Sequence, residues 1–231
     1  MLVLCNGMPR SASTWSYNVV MALLRTTGEE IHGGYDENLH RFLRTLPPSC
    51  LHACVKLHSL DGAGIGLAQL HAAKVVYTWR NLADAIASYM TMFGFDFEQT
   101  LSLMSSSLDL YQRHRRNGAL ILGYEAVVQR AAESVAAVAA YLGVPASAAQ
   151  IAAIAEANSF DKTREKVKEI GSLDYGERLV RHEGTAYDPD TLLNFEHIRD
   201  GGTGYGASRL NQTQLRRVEE LQRAKGPAEA S

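Results

Sequence analysis

The feature that most constrains the fold of this chain is a short apolar run that ends at a glycine and leads through a loop of small residues into a helix. The run is Leu2–Asn6, the loop reads Gly7-Met-Pro-Arg-Ser-Ala-Ser-Thr-Trp15, and apolar residues recur at helical spacing over Ser13–Leu24. In this order, the loop presents backbone N–H groups to an anion, and the helix adds the positive end of its dipole. The segment therefore predicts a phosphate-binding loop.

The rest of the chain alternates between strand and helix patterns. Further strands are predicted at His52–Leu57, Lys74–Thr78 and Ala119–Leu122. Helices are predicted at Asn81–Met92, Glu98–Arg115, Glu125–Leu142, from Pro145 to about Ala157, and Gln212–Ala224. Strands separated by helices indicate a parallel sheet with right-handed crossovers. We predict an α/β fold with a single domain over residues 1–225, a central parallel sheet with helices on both faces, and a frayed tail at residues 226–231.

Charge and cysteine content argue against several classes of protein. Lys and Arg total 23 against 25 Asp and Glu, so the basic excess of a protein that coats nucleic acid is missing. No second Cys/His pair stands at zinc-site spacing from Cys50 and Cys54, and with Cys5 these are too few for a disulfide scaffold. The N-terminus lacks the basic segment of a signal peptide, and no apolar stretch is long enough to span a membrane. We expect a cytoplasmic protein with no metal, no nucleic-acid partner and no membrane span.

The loop departs from the P-loop pattern G-x-x-x-x-G-K-[ST] at two positions. Gly7 and Thr14 match, but Ala12 replaces the second glycine and Ser13 stands where the lysine is expected. The nearest cation is Arg10. A nucleoside triphosphatase needs the missing lysine on the β- and γ-phosphates, so the loop favours a phosphate with fewer charges.

The strand Lys74–Thr78 supports the same interpretation. It is followed by Trp79 and Arg80, and not by the acidic residue that would hold magnesium. The alternative is a purely structural loop, in which Ser11 or Ser13 caps the helix and the arginine of the loop is solvated.

Six short motifs along the chain, the first within the loop itself, favour the phosphate-binding site. They are Pro9-Arg10-Ser11-Ala12-Ser13-Thr14-Trp15, Lys56-Leu57-His58, Arg80 with Ser88, Tyr124-Glu125, Ser159-Phe160 and Arg199-Asp200-Gly201. In this order they resemble motifs of the cytosolic sulfotransferase family, which moves a sulfuryl group from 3′-phosphoadenosine 5′-phosphosulfate (PAPS) to a hydroxyl or amine. The resemblance spans about Leu2 to Leu210, nearly the whole chain.

The resemblance implies a PAPS-dependent sulfotransferase that releases adenosine 3′,5′-bisphosphate (PAP) and uses no metal. His58 corresponds to the base that takes the acceptor proton, and Arg10 and Lys56 to the cations that stabilise the sulfuryl group and the departing phosphate. The residues that correspond to donor-binding positions are Arg10, Ser11, Ala12, Ser13, Thr14, Trp15, Arg80, Ser88, Tyr124, Ser159, Phe160, Arg199, Gly201 and Gly202.

The acceptor is expected to be a small molecule bound by three stretches without family-like motifs: Ile31–Arg44, Met90–Phe97 and Leu173–Asn194. Gly171–Gly206 carries few regular signals and is a candidate for mobile loops over the site. Three phenylalanines, Phe93, Phe95 and Phe97, either line an apolar pocket or pack in the core.

Each side chain also has a structural interpretation. His58 could be an ordinary strand-end histidine, and Lys56 a salt-bridged lysine. Ser88 could be an ordinary helix serine. Trp15 and Phe160 would sandwich the adenine in a sulfotransferase, but aromatic residues at helical spacing also pack in cores.

Three residues depart from the family pattern. Arg10 replaces a lysine and cannot release a proton, so it can only stabilise charge. Asp200 replaces the lysine of Arg-Lys-Gly, which places an acid where the 3′-phosphate would lie, and Gly206 replaces a tryptophan. The last two favour weaker donor binding.

Two other functions compete with the enzyme. A non-catalytic module that binds PAP or PAPS would use the same fold but would not require His58. A small-molecule kinase would need the lysine that Ser13 replaces.

Overall fold

A computed structural model describes residues 1–172, 179–182, 185–194 and 202–227. Its five-stranded sheet has the order β2-β3-β1-β4-β5, and each neighbouring pair is parallel. The strands are β1 (Leu2–Gly7), β2 (Ile31–Tyr35), β3 (His52–Leu57), β4 (Ala73–Trp79) and β5 (Leu120–Gly123). A separate antiparallel pair consists of β6 (Val180–His182) and β7 (Thr185–Tyr187). The predicted α/β class and parallel sheet are confirmed.

Helices connect successive strands of the sheet, and further helices come after β5 in the chain. They are α1 (Ser13–Arg25), α2 (Leu39–Leu43), α3 (Gly62–Gln69), α4 (Leu82–Phe93), α5 (Phe97–Arg116), α6 (Tyr124–Gln129), α7 (Ala131–Leu142), α8 (Ala148–Ala157), α9 (Phe160–Ser172), α10 (Tyr205–Arg209) and α11 (Gln212–Lys225). Helix α11 ends at the predicted domain boundary, and residues 228–231 of the predicted tail lie outside the described residues.

Helices cover both faces of the sheet. Successive residues of a strand point to opposite faces, so neighbouring residues of β1 pack in different apolar clusters. Cys5 belongs to the apolar cluster that contains residues of α1 and α7, whereas its neighbour Leu4 belongs to the cluster that contains Leu39 and Phe42 of α2. Both side chains are fully buried. Near-continuous apolar strands are typical of a parallel sheet covered by helices on both faces, as predicted.

The single long helix predicted over Glu125–Leu142 is wrong, because the chain breaks at Arg130 into α6 and α7. Arg130 leaves helical geometry, with φ −132° and ψ 51°. The break lets Val127 of α6 and Val135 of α7 reach the same apolar cluster, in which both are buried. No glycine or proline stands at this point, so the local sequence does not predict the break. Packing of both helices against the same cluster accounts for it.

The parallel sheet brings the predicted motifs together. The carboxyl ends of parallel strands lie at one edge of the sheet, where α/β proteins bind ligands. Gly7 ends β1, His58 follows β3, Arg80 follows β4 and Tyr124 follows β5. The strand β1 lies between β3 and β4, so its loop is at the centre of this edge.

Candidate active site

A cavity of about 1190 Å³ opens at this edge of the sheet. Nearly all predicted site residues that the structure describes line it: Arg10, Ala12, Ser13, Thr14, Trp15, Lys56, His58, Arg80, Ser88, Tyr124, Ser159, Phe160 and Gly202. Ser11 is the exception within the described ranges. Arg199, Asp200 and Gly201 lie outside the described residues.

The phosphate-type loop is held tightly against β4. The backbone N–H of Met8 donates to the carbonyl of Thr78 at 2.9 Å. Gly7 is required here because an added Cβ would lie 2.3 Å from Thr78 Oγ1. The hydroxyl of Ser11 is fully buried, 2.6 Å from the carbonyl oxygen of Met8 and 2.8 Å from Thr78 Oγ1. The Ser11 side chain therefore shapes the loop and does not line the cavity.

Two residues of the loop have left-handed backbone geometry. Arg10 has φ 68° and Ala12 has φ 73°, and Ala12 is the N-cap of α1. Glycine adopts this conformation without the steric penalty that a Cβ imposes. The position of the second P-loop glycine thus keeps the backbone shape that glycine favours, although the residue is alanine.

Ala12→Gly should raise the free energy of unfolding by up to about 1 kcal/mol, because relief of roughly 1–2 kcal/mol of left-handed strain outweighs the added entropy of the unfolded chain. Thermal unfolding measures this. Ala152→Gly is the matched control, since Ala152 is exposed within α8 and its replacement should destabilise by about 0.5–1 kcal/mol. Equal losses in both variants would contradict the strain at Ala12.

Arg10 and Ser88 are joined in the cavity. The guanidinium Nε of Arg10 donates to Ser88 Oγ at 3.0 Å, and Ser88 is buried in α4. The loop after β1 and the helix after β4 therefore meet at this contact. The loop cation lies beside the serine that the resemblance gives to the 3′-phosphate.

His58 is held by hydrogen bonds of both its ring and its backbone N–H. Its Nδ1 lies 2.7 Å from the carbonyl oxygen of Gly7, and since a carbonyl only accepts, Nδ1 carries the hydrogen. In the neutral ring this leaves the lone pair of Nε2 available as a base. The backbone N–H of His58 donates to Glu37 Oε1 at 2.9 Å. Glu37 Oε2 accepts from Ser59 N and Oγ at 2.8 and 2.6 Å, and Tyr35 donates to Oε1 at 2.9 Å.

Burial and neighbouring charges tune the titratable groups. Burial, and then the Lys56 ammonium, lower the pKa of His58 to about 4. Burial also lowers the pKa of Lys56, to about 8. The Glu37 carboxylate raises this pKa and the Arg10 guanidinium lowers it. Burial alone would raise the pKa of Glu37, but the His58 charge and hydrogen bonds from Ser59 and Tyr35 lower it overall. At neutral pH, His58 is therefore an uncharged base beside a mostly protonated lysine.

Arg80 lies deep in the cavity wall. Its side chain is 8% exposed, its Nη2 donates to the carbonyl of Gly202 at 2.6 Å, and its guanidinium carbon lies 4.2 Å from the ring centroid of Tyr124. Its Nε is buried and has no hydrogen-bond partner in the part of the chain that the structure describes. A buried donor without a partner costs free energy, so this nitrogen is an unfavourable feature of the described structure.

The aromatic residues divide between cavity and core. Trp15 and Phe160 line the cavity, although Trp15 also packs against the core under α1. Phe93 and Phe95 line the cavity and stack near Tyr89, with centroid distances of 4.6 and 5.6 Å. Phe97 is buried in the core, so the open choice for the three phenylalanines resolves into two pocket residues and one core residue.

The remaining motif positions have local structural roles as well. Ser159 caps α9, since its Oγ accepts from the backbone N–H of Lys162 at 3.3 Å. Gly206 lies in α10, where an added Cβ would be 2.4 Å from the carbonyl carbon of Ala83. Gly202 offers its carbonyl to a cation, a role that the sequence did not indicate.

Neither metal ligands nor membrane helices are found in the described ranges. Across residues 1–172, 179–182, 185–194 and 202–227, no cluster of three or more His, Cys, Asp or Glu residues could hold a metal ion. Within those same ranges no helix has the length and apolar character to cross a membrane.

This arrangement defines a class of protein. A parallel α/β fold whose phosphate-type loop, buried arginine and neutral histidine share a cavity fits the transfer of an anionic group from a phosphorylated donor. Residues 3–183 match the model of the sulfotransferase domain. The chain belongs to this family, which confirms the resemblance of its motifs and the class of enzyme that they implied.

Solved structures show the same fold at low identity. Mouse sulfotransferase SULT7A1, complexed with PAP, superposes with a TM-score of 0.70 at 17% identity over 99% of this chain and 84% of that chain. Retinol dehydratase in complex with androsterone and PAP has a TM-score of 0.63 at 17% identity, over 96% and 80% of the two chains. No curated protein sequence matches this chain.

Proposed function

We propose that this protein transfers the sulfuryl group of PAPS to a hydroxyl or amine of a small molecule and releases PAP. The observation that carries the proposal is a single cavity in which His58, Lys56 and Arg10 meet, with Arg80 in the same wall. Both structural relatives were solved with PAP, which supports the choice of donor.

The described residues fit a bisphosphorylated nucleotide. The loop after β1 and the N-terminus of α1 would hold the 5′-phosphate and the sulfuryl group. Arg80 and Ser88 would hold the 3′-phosphate, because both side chains line the cavity and Arg80 brings a positive charge to it. Trp15 and Phe160 would contact the adenine from the same cavity.

Transfer in this cavity would be direct. The acceptor oxygen forms a bond to the sulfur while its proton passes to Nε2 of His58. The bond from the sulfur to the bridging oxygen of the 5′-phosphate breaks, and that oxygen keeps the electron pair. Arg10 and Lys56 stabilise the charge on the sulfuryl and leaving oxygens, which in a buried site supplies much of the rate. Arg10 cannot donate a proton, so its contribution is purely electrostatic.

Calorimetric titration with PAP, adenosine 5′-monophosphate (AMP) and ATP tests the donor assignment. We expect PAP to bind more tightly than AMP, because only PAP engages Arg80 and Ser88. ATP should bind more weakly than PAP, because Ser13 replaces the lysine that a triphosphate needs. Tighter binding of ATP would favour the kinase alternative and contradict the proposal.

Binding of PAP should not depend on a divalent metal. The loop lacks the P-loop lysine at Ser13, and β4 is followed by Arg80 and not by an acidic residue. The measurement compares PAP affinity in buffer with excess chelator and in buffer with magnesium. Equal affinities are expected, and loss of binding in chelator that magnesium restores would show that the loop is misinterpreted.

A further inference from the structure

Asp84, in the first turn of α4, holds a distant segment of the chain by its backbone. Its Oδ2 accepts from the N–H of Gly204 at 2.8 Å, and its Oδ1 accepts from the N–H of Gly206 at 2.7 Å. The carboxylate is 3% exposed, so it has little contact with water. Hydrogen bonds to a charged and buried acceptor are among the stronger ones in proteins. Asp84 is therefore a firm anchor for residues 204–206.

The same segment also contacts Arg80, which lies four residues before Asp84 in the chain. The carbonyl of Gly202 accepts from Arg80 Nη2 at 2.6 Å, while Asp84 Oδ2 lies 3.8 Å from that nitrogen. Arg80 and Asp84 thus both form hydrogen bonds with segment 202–206. The guanidinium lies against the Tyr124 ring, and its Nε has no partner among the described residues.

Close packing of α10 on α4 depends on Gly206. An added Cβ at this position would lie 2.4 Å from the carbonyl carbon of Ala83 and 2.6 Å from its carbonyl oxygen. Backbone atoms cannot rotate away from such a contact, so any larger residue would push the segment off α4. The departure from the family pattern at Gly206 allows the close approach that the Asp84 hydrogen bonds need.

A carboxylate near a phosphate subsite would ordinarily oppose anion binding. Here the Asp84 charge is offset by two backbone N–H groups, by the Arg80 guanidinium and by its place in the first turn of α4, where the helix dipole favours a negative charge. Asp84 therefore acts on Arg80 through its orientation, because Arg80 Nη2 is held by the carbonyl of Gly202.

We infer that Asp84 is a positioning residue for the 3′-phosphate subsite: it anchors segment 202–206 so that the Gly202 carbonyl fixes the Arg80 guanidinium in the cavity wall. The inference rests on the proposed function, in which Arg80 binds the 3′-phosphate. It assigns to Asp84 no contact with substrate.

The test measures the ratio of PAP affinity to AMP affinity by calorimetry, because only PAP carries the 3′-phosphate. In Asp84→Asn one carboxylate oxygen becomes an NH₂ group, which cannot accept from Gly204 or Gly206, so one anchor is lost. We expect the ratio to fall roughly tenfold, comparable to the loss of one charge-assisted hydrogen bond. Gly206→Ala should lower the same ratio by displacing the segment from α4 while leaving the carboxylate intact.

The matched control is Asp61→Asn. Asp61 caps α3 and also accepts a backbone N–H, from Gly64 at 2.8 Å, but it does not line the cavity. Its ratio should equal that of the wild type. Thermal unfolding of each variant separates lost stability from lost selectivity, and Gly206→Ala provides a second test if Asp84→Asn fails to fold.

Arg80→Ala distinguishes the two possible failures. If Arg80→Ala collapses the ratio while Asp84→Asn and Gly206→Ala leave it unchanged, the positioning role is overturned and the proposed function stands. If Arg80→Ala itself leaves the ratio unchanged, the 3′-phosphate assignment fails, and the role of Asp84 fails with it. A fall of the ratio in all three variants but not in Asp61→Asn supports both.

Discussion

His58→Ala should lower turnover with an alcohol acceptor by about 10²–10⁴-fold, the usual cost of losing a general base. The Nδ1 hydrogen bond to Gly7 leaves Nε2 as the basic atom, and no proton needs to be removed from it at neutral pH because burial and Lys56 hold its pKa near 4. PAP affinity should barely change, since His58 would contact the acceptor oxygen. Steady-state kinetics and calorimetry on the same preparation measure the two effects separately.

The control for this prediction is His71→Asn, because His71 is exposed, has φ 54° and does not line the cavity. Asparagine tolerates that backbone conformation, so turnover should be unchanged. Wild-type turnover in His58→Ala would place the base elsewhere and make His58 a structural strand-end histidine.

The pH dependence of kcat/KM reports the ionisations of the free enzyme. Activity should fall on the acid side near the His58 pKa of about 4, as the base becomes protonated. It should fall on the basic side near the Lys56 pKa of about 8, as the site loses a positive charge. Lys56→Met removes a cation that disfavours the imidazolium, so the acid limb should move to higher pH. An acid limb that stays in place or moves to lower pH would contradict the electrostatic coupling.

Arg80→Ala should weaken PAP binding by about 1.5–3 kcal/mol, or roughly 10- to 150-fold, and leave AMP binding almost unchanged. The guanidinium is buried, held by Gly202 and Tyr124, and retains an unpartnered Nε among the described residues. A charge-assisted hydrogen bond to the 3′-phosphate is the interaction that distinguishes the two nucleotides.

Calorimetry with both nucleotides tests the Arg80 assignment, with Arg115→Ala as an exposed arginine control on α5. Thermal unfolding is needed alongside it, because the truncation leaves Asp84 without its cation. Equal losses of affinity for PAP and AMP would mean that Arg80 supports the cavity wall and does not recognise the 3′-phosphate.

Much of the site could be predicted because its chemistry lies in short motifs at the ends of strands. Gly7, Lys56, His58 and Arg80 are close in sequence to apolar runs, and a parallel sheet places the ends of those runs at one edge. Local pattern and topology were therefore sufficient to predict that Lys56, His58 and Arg80 share one cavity.

Other parts could not be predicted, because long-range contacts decide them. Glu37 is one acid in a stretch without a motif, and its role appears only when β2 pairs with β3 and brings it to the His58 backbone. Asp84 accepts hydrogen bonds from Gly204 and Gly206, which lie far from it in the sequence. The resemblance places Ser11 among the donor-binding positions, but its hydroxyl is buried beside Thr78, a contact between residues far apart in the sequence.

The most direct test of the central claim is the rate of PAP formation from PAPS in the presence of pooled phenols, alcohols and amines. The product is quantified by chromatography for the wild type and for His58→Ala side by side. We expect PAP formation in the wild type that requires an acceptor, with a matching sulfated product, and a rate lower by about 10²–10⁴-fold in His58→Ala. Equal PAP formation in the two proteins, or PAP formation that does not depend on any acceptor, would contradict the assignment of this cavity as a sulfuryl-transfer site.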